Sequence, residues 1–266
     1  MECVNHPGIE PAARCVSCGV HLCAACAVER DGKYYCSNCT PRFFRSGDLQ
    51  LQRAYTYMFD DPEWIKKVVI GALMVLGSVL VIPLFILLGY EVEVIRMVAA
   101  GQDRRLPDWN DWGAKLETGA KLAVVMLIYA LPMLALMAGF YIPLIVQAVS
   151  RDGNSTGMWY TPFFFGFGVL VFFLSLLYRL VMPAYTVRFA RTGSIKSGLQ
   201  FGEVARMIRA NIGAYLLVMA LLFANGYLVS LGWIACCVGV FFTSFYISLV
   251  NAHLFGQIAR ISPQPD

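Results

Sequence analysis

Charge is what this sequence has least of. Lys, Arg, Asp and Glu make up 14% of its 266 residues, where an ordinary soluble domain carries about 25%. Three stretches hold none at all: residues 68–90 (23 residues), 122–150 (29) and 210–259 (50). That deficit excludes a disordered chain and an ordinary cytosolic enzyme. A bilayer core ~30 Å thick takes about 20 apolar residues per helical crossing. All three runs are long enough, so the sequence reads as an all-α polytopic membrane protein.

Cysteine is scarce beyond residue 39, where only Cys236 and Cys237 occur; the other seven of the nine lie in the first 39 residues. Such a cluster is a disulfide framework or a metal module, and the compartment decides which. A secretory signal has a basic start followed by an apolar run. Here Glu2 and Glu10 precede the uncharged stretch 15–28, which holds four Cys, a Ser and a His. The N-terminus is therefore expected in the reducing cytosol.

The ligands come as four short pairs: Cys3-x2-His6, Cys15-x2-Cys18, Cys23-x2-Cys26 and Cys36-x2-Cys39. Two ligands separated by two residues can face one ion, and zinc takes four in a tetrahedron. Four pairs fill two closed, structural Zn2+ sites. His21, between two knuckles, is then surplus and reads as a surface residue. Asp31-Gly32 followed by Lys33-Tyr34-Tyr35 reads as a hairpin turn and strand. Spacing alone leaves open whether consecutive or alternate pairs share a metal. Seven thiolates less the four charges of two zinc ions would lower the formal +4 by three, which disfavours nucleic acid as a partner.

The residues Cys3-x2-His6-Pro7, Cys18-Gly19, Leu22-Cys23-x2-Cys26 and Gly32-Lys33-Tyr34-Tyr35-Cys36 resemble the B-box-type zinc finger in its compact prokaryotic form. The resemblance implies a cross-brace: Cys3, His6, Cys23 and Cys26 on zinc 1, and Cys15, Cys18, Cys36 and Cys39 on zinc 2. The chain departs from the commoner eukaryotic B-box in ending on Cys36 and Cys39 instead of histidines.

Residues 1–41 thus form the zinc head, and 42–61 a linker whose Phe43 and Phe44 lie beside Arg42 and Arg45. The multi-pass domain spans 62–258 and a tail 259–266. Asp61-Pro62-Glu63 reads as a helix start, with an Asp N-cap and Pro at N1. Trp64 with Lys66 and Lys67, and Trp109 and Trp112 in the loop Leu106-Pro107-Asp108-Trp109-Asn110-Asp111-Trp112-Gly113, read as membrane-interface anchors. Glu93 is placed to pair with Arg96 at i,i+3. Arg179 is placed to snorkel, and Asn225 and Asn251 to hydrogen-bond across helices. Ala235-x3-Gly239-x3-Thr243 is a small-residue stripe that lets helices approach closely.

The distribution of Lys and Arg orients the domain. If 68–90 crosses once, the five basic residues of 90–121 and the five of 184–211 lie outside, and inside to outside is 9:11. If 66–100 instead enters and returns as a hairpin bent at Ile82-Pro83, the ratio is 19:1, both ratios leaving out Arg179 within a helix. The hairpin is the expected arrangement, with both termini cytosolic in a prokaryotic inner membrane.

Trp64-x-Lys66-Lys67, Gly71, Gly89-Tyr90, Arg96, Gly101, Leu106-Pro107, Trp109, Trp112-Gly113, Gly119, Pro183-Ala184, Arg188, Thr192-Gly193-Ser194 and His253-Leu254-Phe255-Gly256-Gln257 resemble a family of prokaryotic membrane proteins, domain of unknown function 4013. The resemblance runs over about residues 60–258 and implies fold boundaries but no chemistry.

A membrane enzyme needs a nucleophile with its base or an open metal position, and His253, the only membrane histidine, reads as a core or boundary residue. The expectation is a non-enzymatic scaffold or adaptor that recruits a protein partner to the bilayer through its head, with no small-molecule substrate. The alternative is a passive transporter or channel-like component with the head as regulator. The charge-free final run argues against ion coupling.

Overall fold

The computed structural model describes residues 3, 6, 8–16, 18–30, 33–36, 49–150, 157–234 and 238–262. The head carries two small antiparallel hairpins. In the first, β1 (Ala13–Arg14) pairs with β2 (His21–Leu22), Ala13 opposite Leu22. In the second, β3 (Val28–Arg30) pairs with β4 (Lys33–Tyr35), Val28 opposite Tyr35. Strands of two or three residues cannot hold themselves together in water. The apolar core between them is small: Leu22, Cys15, Tyr35 and Cys36 are its buried members.

Beyond residue 48 the described chain is helical. In order come α1 (Leu51–Thr56), α2 (Trp64–Gly77), α3 (Ile82–Ala99), α4 (Trp112–Ser150) and α5 (Gly157–Thr192). Then follow α6 (Ile195–Gly198), α7 (Phe201–Ala210), α8 (Ile212–Leu231) and α9 (Gly239–Ile261). Four of these contain stretches long and apolar enough to cross a membrane: Trp112–Ile142, Phe165–Thr192, Ile212–Leu231 and Gly239–Ile261. This is a membrane protein.

The segment 66–100 is not one crossing helix. α2 has 14 residues, or about 21 Å at 1.5 Å per residue, too short for the bilayer core. A 3-10 turn over Ser78–Leu80 follows, and Val81 takes φ +66° before α3 begins. The break thus precedes Ile82-Pro83 instead of falling on it. Pro83 stands in the first turn of α3, where its missing N–H costs nothing. The arms run antiparallel. Trp109, stacked on Tyr90 midway along α3, donates to the Lys67 carbonyl at the start of α2, while Gly77 at the other end lies against Pro83. The tip between them, Val79 to Ile82, is exposed and wholly apolar.

Backbone approach fixes the bundle. A Cβ on Gly119 would fall 1.7 Å from the Phe85 carbonyl oxygen, and one on Gly89 1.9 Å from that of Lys115. Both obstacles are backbone, so α3 and α4 touch only because these positions lack a side chain. Just past the end of α3 stands Gly101 (φ +84°). Gln102 N–H bonds the Met97 carbonyl and Gly101 N–H that of Val98, which is the Schellman stop that favours glycine.

Residues 49–61, placed in the linker by composition, are part of this body. Ala54 and Tyr57 are buried. Tyr55 donates to Asn225 Oδ1 (2.7 Å) and Tyr246 to the Tyr55 carbonyl (2.8 Å). Asn225 Nδ2 in turn donates to Asn251 Oδ1 (2.7 Å), the cross-helix bond expected from sequence. Thr243 Oγ1 donates to the Gly239 carbonyl, while Ala235, Cys236 and Cys237 lie outside the described residues. So do Phe43, Phe44, Arg42, Arg45, the Asp31-Gly32 turn and the end of the tail, 263–266.

Candidate functional site

Two groups of metal-ligating side chains come together in the head. Cys3, His6, Cys23 and Cys26 form one, and Cys15, Cys18 and Cys36 the other, with the ligand atoms of each within 4.8 Å of one another. Alternate pairs, not consecutive ones, therefore share a cluster. Cys39 lies outside the described residues. His21 is in β2, opposite Arg14, and belongs to neither cluster.

Short backbone turns build the knuckles. Gly19 N–H bonds the Cys15 carbonyl at 2.9 Å, with Gly19 at φ +76°, and Arg14 Nε donates to the Gly19 carbonyl at 2.7 Å. Cys26 N–H and Ala27 N–H both bond the Cys23 carbonyl at 3.0 Å. β1 and β2 lead into and out of these turns, and Val16 N–H bonds the Tyr34 carbonyl across to the second hairpin.

The spacing fits zinc. Zn–S near ~2.3 Å and Zn–N near ~2.0–2.1 Å in a tetrahedron put two sulfurs about 3.8 Å apart, and sulfur and nitrogen about 3.5 Å apart. Cys18 and Cys36 Sγ are 3.7 Å apart, well beyond a disulfide bond of ~2.05 Å. His6 Nδ1 lies 3.9, 3.4 and 3.3 Å from the sulfurs of Cys3, Cys23 and Cys26. The residues present would thus hold one ion by three thiolates and His6 Nδ1, and a second by at least three thiolates. Zinc bound at the first cluster would supply structure, since four protein ligands leave no open position.

The sequence-expected anchors separate into two kinds. Lys66 and Trp112 are exposed. Trp64 is half-buried, edge-on to Phe59 at 5.1 Å, and Trp109 is half-buried against Tyr90 at 4.2 Å. Lys67 packs inside the protein. It is buried, and its ammonium donates to Asp61 Oδ2 (2.9 Å) and the Leu106 carbonyl (2.8 Å) and pairs with Asp108 Oδ1 (2.8 Å). Asp61, also buried, accepts from Leu106 N–H and Glu63 N–H, both at 2.8 Å. It is a hub between α2 and the 101–111 loop instead of the N-cap of α2, whose cap position is Glu63. Burial pushes the Asp61 carboxyl up, but the Lys67 ammonium and the two backbone N–H groups outweigh it and hold the group below its usual range. Adjacent helix residues point about 100° apart, so Lys66 and Lys67 never shared an environment. That is the one sequence signal for this hub.

Other expectations fall out differently. Glu93 pairs with buried Lys115 (2.8 Å), not with Arg96, whose Nε reaches the Ala190 carbonyl (2.6 Å). Arg179 donates to the Leu222 carbonyl and lies 4.5 Å over the Phe223 ring. His253 is buried against Tyr57 and Gln257, in the core as expected. Gly153-Asn154-Ser155-Thr156-Gly157 has the Gly-x-Ser-x-Gly spacing of a nucleophile elbow. That elbow turns from a strand into a helix, whereas this stretch, whose residues 151–156 lie outside the described ones, runs between α4 and α5.

Comparison with known proteins gives one match. The model of a family described as "Protein of unknown function (DUF4013)" matches residues 73–238, more than half of the chain. The match reaches neither the cysteine-rich head nor the closing His253-Leu254-Phe255-Gly256-Gln257 motif. No curated protein and no solved structure matches the chain.

Proposed function

We propose, for a chain that belongs to the DUF4013 family of proteins of unknown function, that it is a non-enzymatic membrane scaffold whose two-zinc head recruits a protein partner to a prokaryotic inner membrane. The observation that carries the reading is the interleaved grouping of the ligands into two clusters. Interleaving ties the start of the head to its middle and its middle to its end, which makes a rigid module out of chain too short to bury a core. Cys39 is the fourth ligand of the second ion in this reading. A rigid, metal-set surface on a membrane anchor suits docking of a folded partner.

Orientation is part of the proposal. Segments far apart in sequence meet at one end of the bundle. Arg53 donates to the Asp103 carbonyl (2.9 Å), Arg260 to the Val98 carbonyl (2.6 Å), Arg96 to that of Ala190, and Arg191 to those of Ala259 and Ser262. This supports placing the basic loops and the C-terminus on one side, and the positive-inside rule makes that side cytosolic. Single cysteines at Asn110, Asn154 and Lys196, in a chain without its membrane cysteines, test it. An impermeant thiol reagent on intact cells should label position 154 alone. Labelling at 110 and 196 but not at 154 would contradict the arrangement.

Recruitment is tested by purification from native membranes, comparing the full chain with one lacking residues 1–40 and one carrying Cys3→Ser and Cys15→Ser. The expected outcome is a partner retained by the full chain and lost from both variants. The same set of proteins on all three would remove the head from the function and favour the transport alternative.

A further inference from the structure

A cavity of about 490 Å3 opens between α4, α5 and α7, within the ~300–1,000 Å3 range of small-molecule sites. Its walls are almost wholly apolar, Pro132, Leu177 and Val204 among them, with two tyrosines, Tyr129 and Tyr178, and one charged residue, Arg209. Tyr129 donates its hydroxyl to the Gly198 carbonyl (3.0 Å). Tyr178 accepts from the Tyr185 hydroxyl (3.1 Å), which leaves its own proton for another acceptor.

The charge in the lining is not neutralised from within. The acid of α7, Glu203, pairs with Arg188 (3.4 Å) and with Arg206, and among the described residues no carboxylate pairs with Arg209. α7 itself is two-faced: Val204, Met207 and Ile208 are buried, while Arg206 and Arg209 are exposed. The helix lies between α5 and α8 in the chain, both long and apolar enough to cross a membrane, and this position puts its basic face near the interface. An apolar slot between two membrane helices, with an unpaired cation in its lining, is complementary to one kind of molecule, an amphiphile with a long apolar tail and an anionic head.

We propose that this cavity is a binding site for an anionic membrane phospholipid, its acyl chain between α4 and α5 and its phosphate on Arg209. The inference goes beyond the scaffold reading and does not depend on the metal head. Full-length protein is reconstituted in phosphatidylcholine vesicles containing a minority of phosphatidylglycerol, with a trace of phosphatidylglycerol carrying a photoreactive group at the end of one acyl chain. Label should concentrate on residues 128–133 and 174–181. Added phosphatidylglycerol should compete it away and added phosphatidylcholine should not. Arg209→Gln should lower the label roughly fivefold, the effect of ~1 kcal/mol per basic residue at an anionic surface. Arg206→Gln removes the same charge from the same helix away from the cavity and should leave the label unchanged, as should Arg209→Lys. Label spread evenly along the lipid-facing surface of α4 and α5, equal competition by phosphatidylcholine, or equal loss in the Arg206 and Arg209 variants would each overturn the site.

Discussion

Stripping zinc from the full chain is expected to unfold residues 3–36 and leave the helical domain intact. Ordering a residue costs about 1–2 kcal/mol in backbone entropy. Against that the head sets two pairs of very short strands and a core in which Leu22 and Tyr35 are the large side chains. A fully buried side chain of that size returns about 1.5–3 kcal/mol, far less than the entropy of some thirty residues. A structural zinc ion contributes an apparent ~10–16 kcal/mol, so two such ions, where bound as proposed, would decide whether the head is folded. Arg14, Arg30 and Lys33 lie in the strands and should resist trypsin in the metal-loaded chain. They should be cut rapidly once a chelator has removed the metal, with the helical circular dichroism unchanged. A head that stays resistant after elemental analysis shows the zinc gone would refute this account of its stability.

Asp61→Ala is expected to cause the largest loss of stability in the membrane domain. The substitution takes from buried Lys67 its one buried counter-charge, leaving it Asp108, which is largely exposed. It also removes the acceptor of the Leu106 and Glu63 N–H groups. Breaking a buried pair from one side costs about 3–5 kcal/mol. At roughly 2–4 °C per kcal/mol for a domain of this size, the melting point in detergent should fall by about 6–20 °C. Lys66→Met next to it, where the lysine meets Glu63 in solvent at 3.4 Å, should change little. The double variant Asp61→Leu, Lys67→Met should recover part of the loss, because neither charge is then left buried alone. The pair also gives an acid limb. Asp61 is held below its usual pKa in the folded state. Its contribution is therefore present above the unfolded value of about 3.9 and is lost as pH falls through the lower folded value. The Asp61→Asn variant should lack that limb. An Asp61→Ala protein that melts with the wild type would show the hub to be incidental.

What could be read from the sequence was whatever depends on near neighbours. The Cys-x2-Cys and Cys-x2-His pairs are local chemistry, and so was the choice of residues that would face a metal. Which pairs meet is set by where β1–β2 and β3–β4 bring the chain, and there the spacing left two answers open. The return of the chain at residues 78–81 was foreshadowed by Pro83 and by charge counting, though the bend itself sits one turn earlier because proline starts a helix more readily than it ends one. Beyond the differing directions of Lys66 and Lys67, the Asp61–Lys67–Leu106 hub left no mark in the sequence, since its parts are 45 residues apart and a lysine near a tryptophan at a helix start has the same pattern as an interface anchor. Residues 49–61 looked like a linker because six helical residues and a 3-10 turn show too little periodicity; their fit against Asn225 and Tyr246 is tertiary. The Gly89–Gly119 contact is likewise visible only as two glycines until the helices are laid together.

The most direct test of the account is zinc counted per chain in the full-length protein, with cobalt spectra identifying which site is lost. The interleaved clusters predict two ions in the wild type, one in Cys3→Ser and one in Cys15→Ser. Cys3→Ser and Cys23→Ser should lose the same site, and Cys15→Ser the other. A wild-type chain with one ion or none, or Cys3→Ser and Cys15→Ser variants that lose the same site, would contradict it.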